Sequence, residues 1–160
     1  MSTQRTPVPK SAYAPLGALE AYTRIRVSRA DSHLVRLRAS ALNGCRYCTA
    51  MHRRDARRAG WADPRIEAAE TWPDHRDAFT AAELAVLRLT DAVTRIAGEE
   101  SVPDELWAEV VRHRGESGAG HLVVEVATIN TWNRIAVTTR LDPTSLRGVR
   151  AEDIDPPRPR

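Results

Sequence analysis

Two cysteines and a histidine stand close together in the segment NGCRYCTAMH, residues 43–52. Cys45 and Cys48 are the only cysteines of the chain, and His52 follows Cys48 by four positions. On a helix, residues three or four positions apart share a face, so the two sulfurs can approach each other and the imidazole can reach Cys48. Such a trio can be a redox-active dithiol, half of a metal site, or two buried cysteines beside a histidine.

The local sequence predicts Cys45 in the first turn of a helix and Cys48 one turn later, because Asn43-Gly44 is typical of a break between helices. Free amide donors and the positive end of the helix dipole lower thiol pKa values at that position. His52 can take the proton of the Cys48 thiol or, when protonated, stabilise the thiolate. These parts suit a dithiol peroxidase, in which one thiolate becomes a sulfenic acid, the other thiol condenses with it to a disulfide, and an external dithiol reduces the pair.

The rest of the sequence predicts the helices that must position these residues. Apolar side chains recur at helical spacing almost throughout, and strand patterns are nearly absent. We predict an all-α fold, a single-domain bundle of about six or seven helices over residues 15–143. Residues 1–14 are predicted to form a flexible arm and residues 144–160 a flexible, proline-rich tail.

Some helix boundaries and one buried charge follow from local signals. The second helix is expected to begin after an N-cap at Asp31 or Ser32. Thr80 and Glu83 have the spacing of a capping box at the start of the longest amphipathic segment. Glu125 lies in the apolar last helix, so it either pairs with an arginine across a subunit contact or faces solvent.

Composition excludes several classes of protein. The chain of 160 residues has 42% hydrophobic and 28% charged residues, as a soluble domain has, and no apolar run is long enough to span a bilayer. The N-terminal sequence lacks the apolar region of a secretory signal, so we predict a cytoplasmic protein. The basic run RRDARR, residues 53–58, contains an aspartate and no aromatic residues, which favours a solvated helix face over a nucleic-acid site.

The longer string LVRLRASALNGCRYCTAMHRRDARRAG, residues 34–60, resembles the signature of the alkylhydroperoxidase D-like branch of the carboxymuconolactone decarboxylase-like superfamily. The shared features are an Arg-x-Ser run, Asn-Gly before the first cysteine, Cys-x-x-Cys, and a histidine four residues later. INTWNRIAV, residues 129–137, is similar to the C-terminal helix of that branch, and the helix order fits from about residue 12 to residue 140. The resemblance implies an all-α homo-oligomer, as a dimer, trimer or hexamer, that reduces hydroperoxides with a dithiol donor and without metal or flavin.

The resemblance also implies roles for individual residues. Cys48 corresponds to the peroxide-reactive cysteine, Cys45 to its resolving partner, and His52 to part of a proton relay, although the helix dipole alone favours Cys45 as the more acidic thiol. The family relay has a glutamate twelve residues before the first cysteine, where this chain has His33. A histidine can relay protons but cannot hold His52 protonated as a carboxylate can, so we expect weakened or pH-shifted activity.

The same substitution keeps an alternative open. Cys45, Cys48, His52 and His33 together have the ligand set of a Cys2His2 zinc site, so a non-enzymatic zinc-binding or redox-sensing protein is the second hypothesis. Lactone decarboxylation, the other chemistry of the superfamily, is disfavoured because that branch generally lacks the Cys-x-x-Cys pair. The sequence thus favours a thiol peroxidase for organic hydroperoxides or hydrogen peroxide, with no metal, no cofactor, no nucleic acid and no membrane partner.

Overall fold

The structure, a computed structural model, describes residues 5–154; the parts of the predicted arm and tail that fall on residues 1–4 and 155–160 lie outside the described residues. The helices are α1 (Tyr13–Arg26), α2 (Arg29–Leu42), α3 (Arg46–Arg58), α4 (Asp63–Glu70), α5 (Ala81–Thr94) and α6 (Asp104–Thr139). Short 3₁₀ turns join several of them, and no β-strand occurs within the described range. The prediction of an all-α fold is confirmed. Within the same range, no helix has the length and apolar character that crossing a membrane requires.

Helix α2 is the centre of the bundle. It packs against α3, α4, α5 and α6, and the apolar side chains in its middle are inaccessible to solvent. The fully buried ones are Leu34, Val35, Leu37 and Ala39. The core continues from α2 into the apolar faces of α5 and α6. Because α3 packs on both α2 and α6, the helix that carries the cysteines rests directly on the core.

The start of α2 differs from the prediction. Its N-cap is Ser28, whose side chain accepts a hydrogen bond from the backbone N–H of Asp31 at 3.1 Å. The expected caps, Asp31 and Ser32, lie instead in the first turn and have tertiary partners. Asp31 accepts two hydrogen bonds from Arg114, and Ser32 donates to Glu125. A polar residue near a helix start can cap or bind elsewhere, and only the packing decides which.

One other local signal is confirmed. Thr80 and Glu83 form the predicted capping box at the start of α5. Gly115, at φ +72° and ψ 166°, breaks α6 between residues 104–114 and residues 116–139. The positive φ suits glycine, which has no Cβ to clash with the following carbonyl.

Residues 143–154 fold back over α3 and are called the C-terminal strap below. The carboxylate of Asp153 is fully buried and accepts hydrogen bonds from both terminal nitrogens of Arg57, at 2.5 and 2.7 Å. Arg46 Nε donates to the carbonyl oxygen of Ile154 at 2.9 Å. The strap is therefore attached to α3 at both ends of that helix.

The prediction of a flexible tail over residues 144–160 therefore does not fit residues 144–154. The reason lies in the arginines of α3, which were expected to face solvent. Arg57 binds the strap, and Arg53 is buried and donates two hydrogen bonds to Glu70 at 2.7 Å each. The charged run in the sequence does not indicate which of its side chains will be buried or which carboxylates they will bind.

The described part of the predicted arm also lies against the domain. The backbone N–H of Arg5 donates to the carbonyl oxygen of Thr139 at 2.9 Å. Tyr13 begins α1, and its ring stacks on that of Trp132, with the ring centroids 5.9 Å apart. These contacts join the start of the chain to the last turns of α6, beside the cysteines.

Candidate active site

Cys45 and Cys48 lie at the N-terminus of α3 and are joined as a disulfide, with their Cα atoms 5.3 Å apart. Cys45 is the N-cap rather than a first-turn residue, and its sulfur accepts a hydrogen bond from the backbone N–H of Cys48 at 3.3 Å. Both are buried, with 1% and 2% of their surface exposed. The sulfurs can therefore be reached only through cavities in the protein, not from its open surface.

The turn before the cysteines is fixed to α6. Gly44 adopts a φ of +62°, which lets the chain leave α2 and enter α3 within a few residues. The side-chain amide of Asn43 donates to Asn130 and to Asn133, at 2.9 Å in each case. These hydrogen bonds join the turn to α6 across the packed helices. They fix the position of Cys45 relative to the bundle.

A cavity of about 390 Å³, called the Cys48 cavity below, adjoins the second cysteine. Much of its wall is apolar and comes from α3 and α6: Met51, Ile129, Trp132 and Ile135. The polar wall consists of Glu20 from α1, Arg36 from α2 and His52 from α3. The cavity thus places a sulfur between an apolar surface and a set of groups that can exchange protons.

His52 is buried in the wall of this cavity, one helical turn after Cys48. Only 4% of its surface is exposed, and its Nε2 atom has no hydrogen-bond partner within residues 5–154. Burial, together with the positive charge of Arg36, lowers the pKa of His52 to about 3. The imidazole is therefore neutral at pH 7. Of the two roles that the sequence left open, the resting imidazolium does not fit this state; the neutral ring is free to accept a proton, although the same burial weakens it as a base.

Arg36 links two carboxylates at the polar wall. It donates to Glu20 at 2.5 Å and to Glu125 at 2.7 Å, and Trp132 Nε1 donates to the other oxygen of Glu20 at 3.2 Å. Glu125 is fully buried; burial raises its pKa, but the hydrogen bonds and charge of Arg36, together with Ser32, hold it below its usual value. The partner of Glu125 is thus an arginine of the same chain, and the expectation of a subunit contact or solvent is corrected.

Glu20 was not among the predicted site residues. It is the only carboxylate in the wall of the Cys48 cavity as the described residues form it. No motif marks it, because it comes from α1, more than twenty residues before the cysteines. The one available signal was a glutamate in the middle of an amphipathic helix, which is too common to single out.

His33 lies outside the Cys48 cavity. It lines a separate groove with arginines of α1, α2 and α3, and its ring meets that of Trp61 edge-on with the centroids 5.4 Å apart. Burial lowers the pKa of His33, and the charge of Arg36 lowers it further. The arginines of this groove are Arg24, Arg29, Arg36 and Arg58. His33 affects His52 through its charge, which contributes to the lowered pKa of His52.

The four predicted side chains are thus not gathered around one point. Cys48 and His52 share a cavity, whereas Cys45 and His33 line two others. Within residues 5–154, no three His, Cys, Asp or Glu side chains are arranged to hold a metal ion. The zinc alternative therefore gains no support from the geometry.

The cavity beside the first cysteine, called the Cys45 cavity below, has a volume of about 600 Å³. It is enclosed by the start of α3, the end of α6 and the C-terminal strap. Residues that line it and not the Cys48 cavity include Arg46, Val137, Arg140, Asp142, Thr144 and Ile154. Tyr47, Ala136 and Leu141 line both cavities and form the partition between them.

Comparisons with known proteins agree with this architecture. Residues 10–92 match the Carboxymuconolactone decarboxylase family. The chain is 36% identical over 120 residues to the uncharacterized protein YdfG of Bacillus subtilis (strain 168), which covers 74% of this chain and 80% of that protein. A crystal structure from Agrobacterium tumefaciens, of a protein of unknown function described as a candidate antioxidant defence protein AhpD, gives a TM-score of 0.81 at 33% identity, over 88% of this chain and 97% of that one.

Proposed function

Because the chain belongs to the carboxymuconolactone decarboxylase family, in its alkylhydroperoxidase D-like branch, we propose that it is a thiol-dependent peroxidase. Its substrates would be organic hydroperoxides or hydrogen peroxide, and its reactive group the Cys45/Cys48 pair. One observation carries the proposal: Cys48 shares a cavity with a buried, neutral histidine, while Cys45 is within disulfide distance behind it.

The first half of the cycle uses Cys48 and His52. Neutral His52 accepts the proton of the Cys48 thiol, because the negative charge of the thiolate formed beside the ring offsets the cost of charging a buried imidazole. The thiolate attacks one oxygen of the peroxide and breaks the O–O bond. The departing alkoxide takes the proton back from His52 and leaves as an alcohol, and Cys48 becomes a sulfenic acid.

The second half uses Cys45. Its thiol attacks the sulfur of the Cys48 sulfenic acid, a water molecule leaves, and the disulfide seen in the structure forms. An external dithiol then donates two electrons and two protons and restores both thiols. The sulfurs and the protein acid–base groups account for every step, so no metal or flavin is needed.

The walls of the Cys48 cavity suit a peroxide with an organic group. Met51, Ile129, Trp132 and Ile135 offer it an apolar surface, while the polar wall receives the O–O end. Hydrogen peroxide can make only the polar contacts. His33 lies in another groove, so its part in a proton relay stays a prediction.

We also propose that the protein is a homo-oligomer in the cytoplasm. Helix α1 exposes Leu19, Tyr22 and Ile25 at successive three-residue spacings, and Ile25 is 79% exposed. A second copy would cover this apolar stripe, as a dimer, trimer or hexamer. The cytoplasm supplies the dithiols that the cycle consumes.

The test is a single-turnover mass measurement. Reduced protein receives one equivalent of cumene hydroperoxide, free thiols are then alkylated, and the intact chain is weighed. The proposal expects both thiols to become unavailable together and a dithiol to restore them, with C48S and C45S as controls. If both thiols stay alkylatable and no oxidative mass change occurs, the protein is not a peroxidase.

A further inference from the structure

The two cysteines of the disulfide line different cavities. Cys48 lines the Cys48 cavity and not the Cys45 cavity, and the reverse holds for Cys45. The partition of Tyr47, Ala136 and Leu141 separates the two spaces, and the disulfide lies against it. The peroxide and the electron donor therefore need not use the same entrance.

We propose that the resetting dithiol enters the Cys45 cavity and attacks the sulfur of Cys45. This inference rests on the proposed peroxidase function and names the route of its second substrate. The donor is a small dithiol, because Cys45 is only 1% exposed at the base of the cavity and a cysteine on a flat protein surface could not reach it. The cavity of about 600 Å³ is large enough for such a molecule.

Attack on the Cys45 sulfur releases Cys48 in its reactive form. A donor thiolate attacks the Cys45 sulfur, the bond between the cysteines breaks, and Cys48 leaves as a thiolate. The second thiol of the donor then attacks its own mixed disulfide, so the donor becomes a disulfide and Cys45 returns as a thiol. Two electrons and two protons pass from donor to protein. Cys48 is released in its reactive form inside the cavity that holds His52, whereas attack on Cys48 would leave that sulfur blocked by the donor.

Charge at the entrance favours the same route. Arg46 and Arg140 line the Cys45 cavity, with Asp142 as the carboxylate among its lining residues. Arg46 also binds the strap through Ile154, which keeps its guanidinium beside the cavity. The positive charge of Arg140 favours a donor that arrives as a thiolate, the nucleophilic form. In the Cys48 cavity, by contrast, the arginine is Arg36, whose charge is already paired with Glu20 and Glu125.

The sequence permits a direct test of which sulfur is attacked. Arg46 stands between the cysteines, so trypsin separates them into peptides 39–46 and 47–53. The disulfide form is treated briefly with the monothiol glutathione, quenched with iodoacetamide and digested. The proposal expects glutathione on peptide 39–46 and the carbamidomethyl group on peptide 47–53. The opposite labelling overturns it.

A matched pair of variants tests the route of entry. Ile135 lines only the Cys48 cavity and Val137 only the Cys45 cavity, two residues apart on α6. Val137 is 48% exposed, so V137W adds bulk at the mouth without disturbing the core. We expect V137W to slow reduction by dithiothreitol at least about fivefold and I135W to leave it within about twofold, since access limits exchange. Equal effects of the two variants on reduction overturn the proposal.

Failure of this inference is distinguishable from failure of the peroxidase function. The disulfide can be formed with diamide, without any peroxide, and both tests can be run on that material. If peroxide does not oxidise the protein but glutathione still labels Cys45, the peroxidase function is wrong and the route stands. If peroxide oxidises Cys48 and glutathione labels Cys48 as well, the function stands and the route is wrong.

Discussion

His52 lies one helical turn after Cys48 and lines the same cavity, with its Nε2 atom buried and unpartnered within residues 5–154. A buried polar atom without a partner costs stability, so its persistence points to a use. In the reduced protein the Cys48 thiol or the substrate can supply the missing hydrogen. The pair therefore places a neutral base next to a nucleophile.

Replacing the imidazole removes the proton acceptor. We expect H52Q to lower the rate at which peroxide oxidises Cys48 by about 100-fold at pH 7, the usual scale for a lost general base. Stopped-flow tryptophan fluorescence of the reduced protein measures that rate. H75Q is the matched control, since His75 is exposed in a loop between α4 and α5 and should give an unchanged rate. An H52Q rate equal to the wild-type rate removes His52 from the mechanism.

The lowered pKa of His52 also predicts how stability changes with pH. The unfolded chain binds a proton near pH 6.5 and the folded chain only near pH 3, so this contribution is complete above pH 6.5 and is lost as the pH falls. Between pH 7 and pH 5 the wild type should lose about 2 kcal/mol more unfolding free energy than H52Q. Urea titrations of both proteins at the two pH values measure the difference. Parallel losses in the two proteins contradict the buried, neutral state.

One buried carboxylate, that of Asp153, attaches the strap to Arg57 of α3. D153N removes the charge that Arg57 binds, and we expect the unfolding free energy to fall by about 2 kcal/mol. Burial raises the pKa of Asp153, but the Arg57 hydrogen bonds outweigh it and lower the net value, so the contribution is present above about pH 4 and is lost on acidification. E152Q is the control, because Glu152 is exposed and pairs with Arg150 on the surface. The prediction fails if the two variants unfold at the same urea concentration.

The turn before Cys45 depends on a glycine. Gly44 has φ +62°, and the space that an alanine Cβ would occupy there is open, so G44A meets only backbone strain, of about 1 kcal/mol. Gly120 is helical and equally uncrowded, so G120A should stabilise by about 0.5–1 kcal/mol. Thermal unfolding of the two variants should therefore shift in opposite directions. Stabilisation by G44A would show that the turn does not need a left-handed residue.

The sequence predicted the part of the site that lies within a single helix. Cys45, Cys48 and His52 lie within one helix, and helical spacing correctly places Cys48 and His52 on one wall. Glu20 could not be predicted in the same way, because it reaches the cavity through the packing of α1. Spacing along α2 also could not show that His33 faces one cavity while Arg36 lines two.

The attachment of the strap could not be predicted for the same reason, because it depends on contacts between residues far apart in the sequence. Its described residues contain the buried Asp153, yet the sequence around it is polar and rich in proline, which predicts flexibility. What fixes it is a set of arginines about a hundred residues earlier in the chain. Ion pairs between residues about a hundred positions apart leave no periodic pattern in the sequence. Hydrophobic faces and capping residues do leave such patterns, so the helical bundle could be predicted and the strap over α3 could not.

The disulfide closes a very short loop, since its cysteines are only three positions apart. Loop-closure entropy grows with loop length, so this bond restricts the unfolded chain by only about 2 kcal/mol, against nearly 5 kcal/mol for a loop of 100 residues. The bond also joins no two helices to each other. The bond therefore constrains the unfolded chain far less than a disulfide between distant helices would, and the packing of the helices on one another does not depend on it.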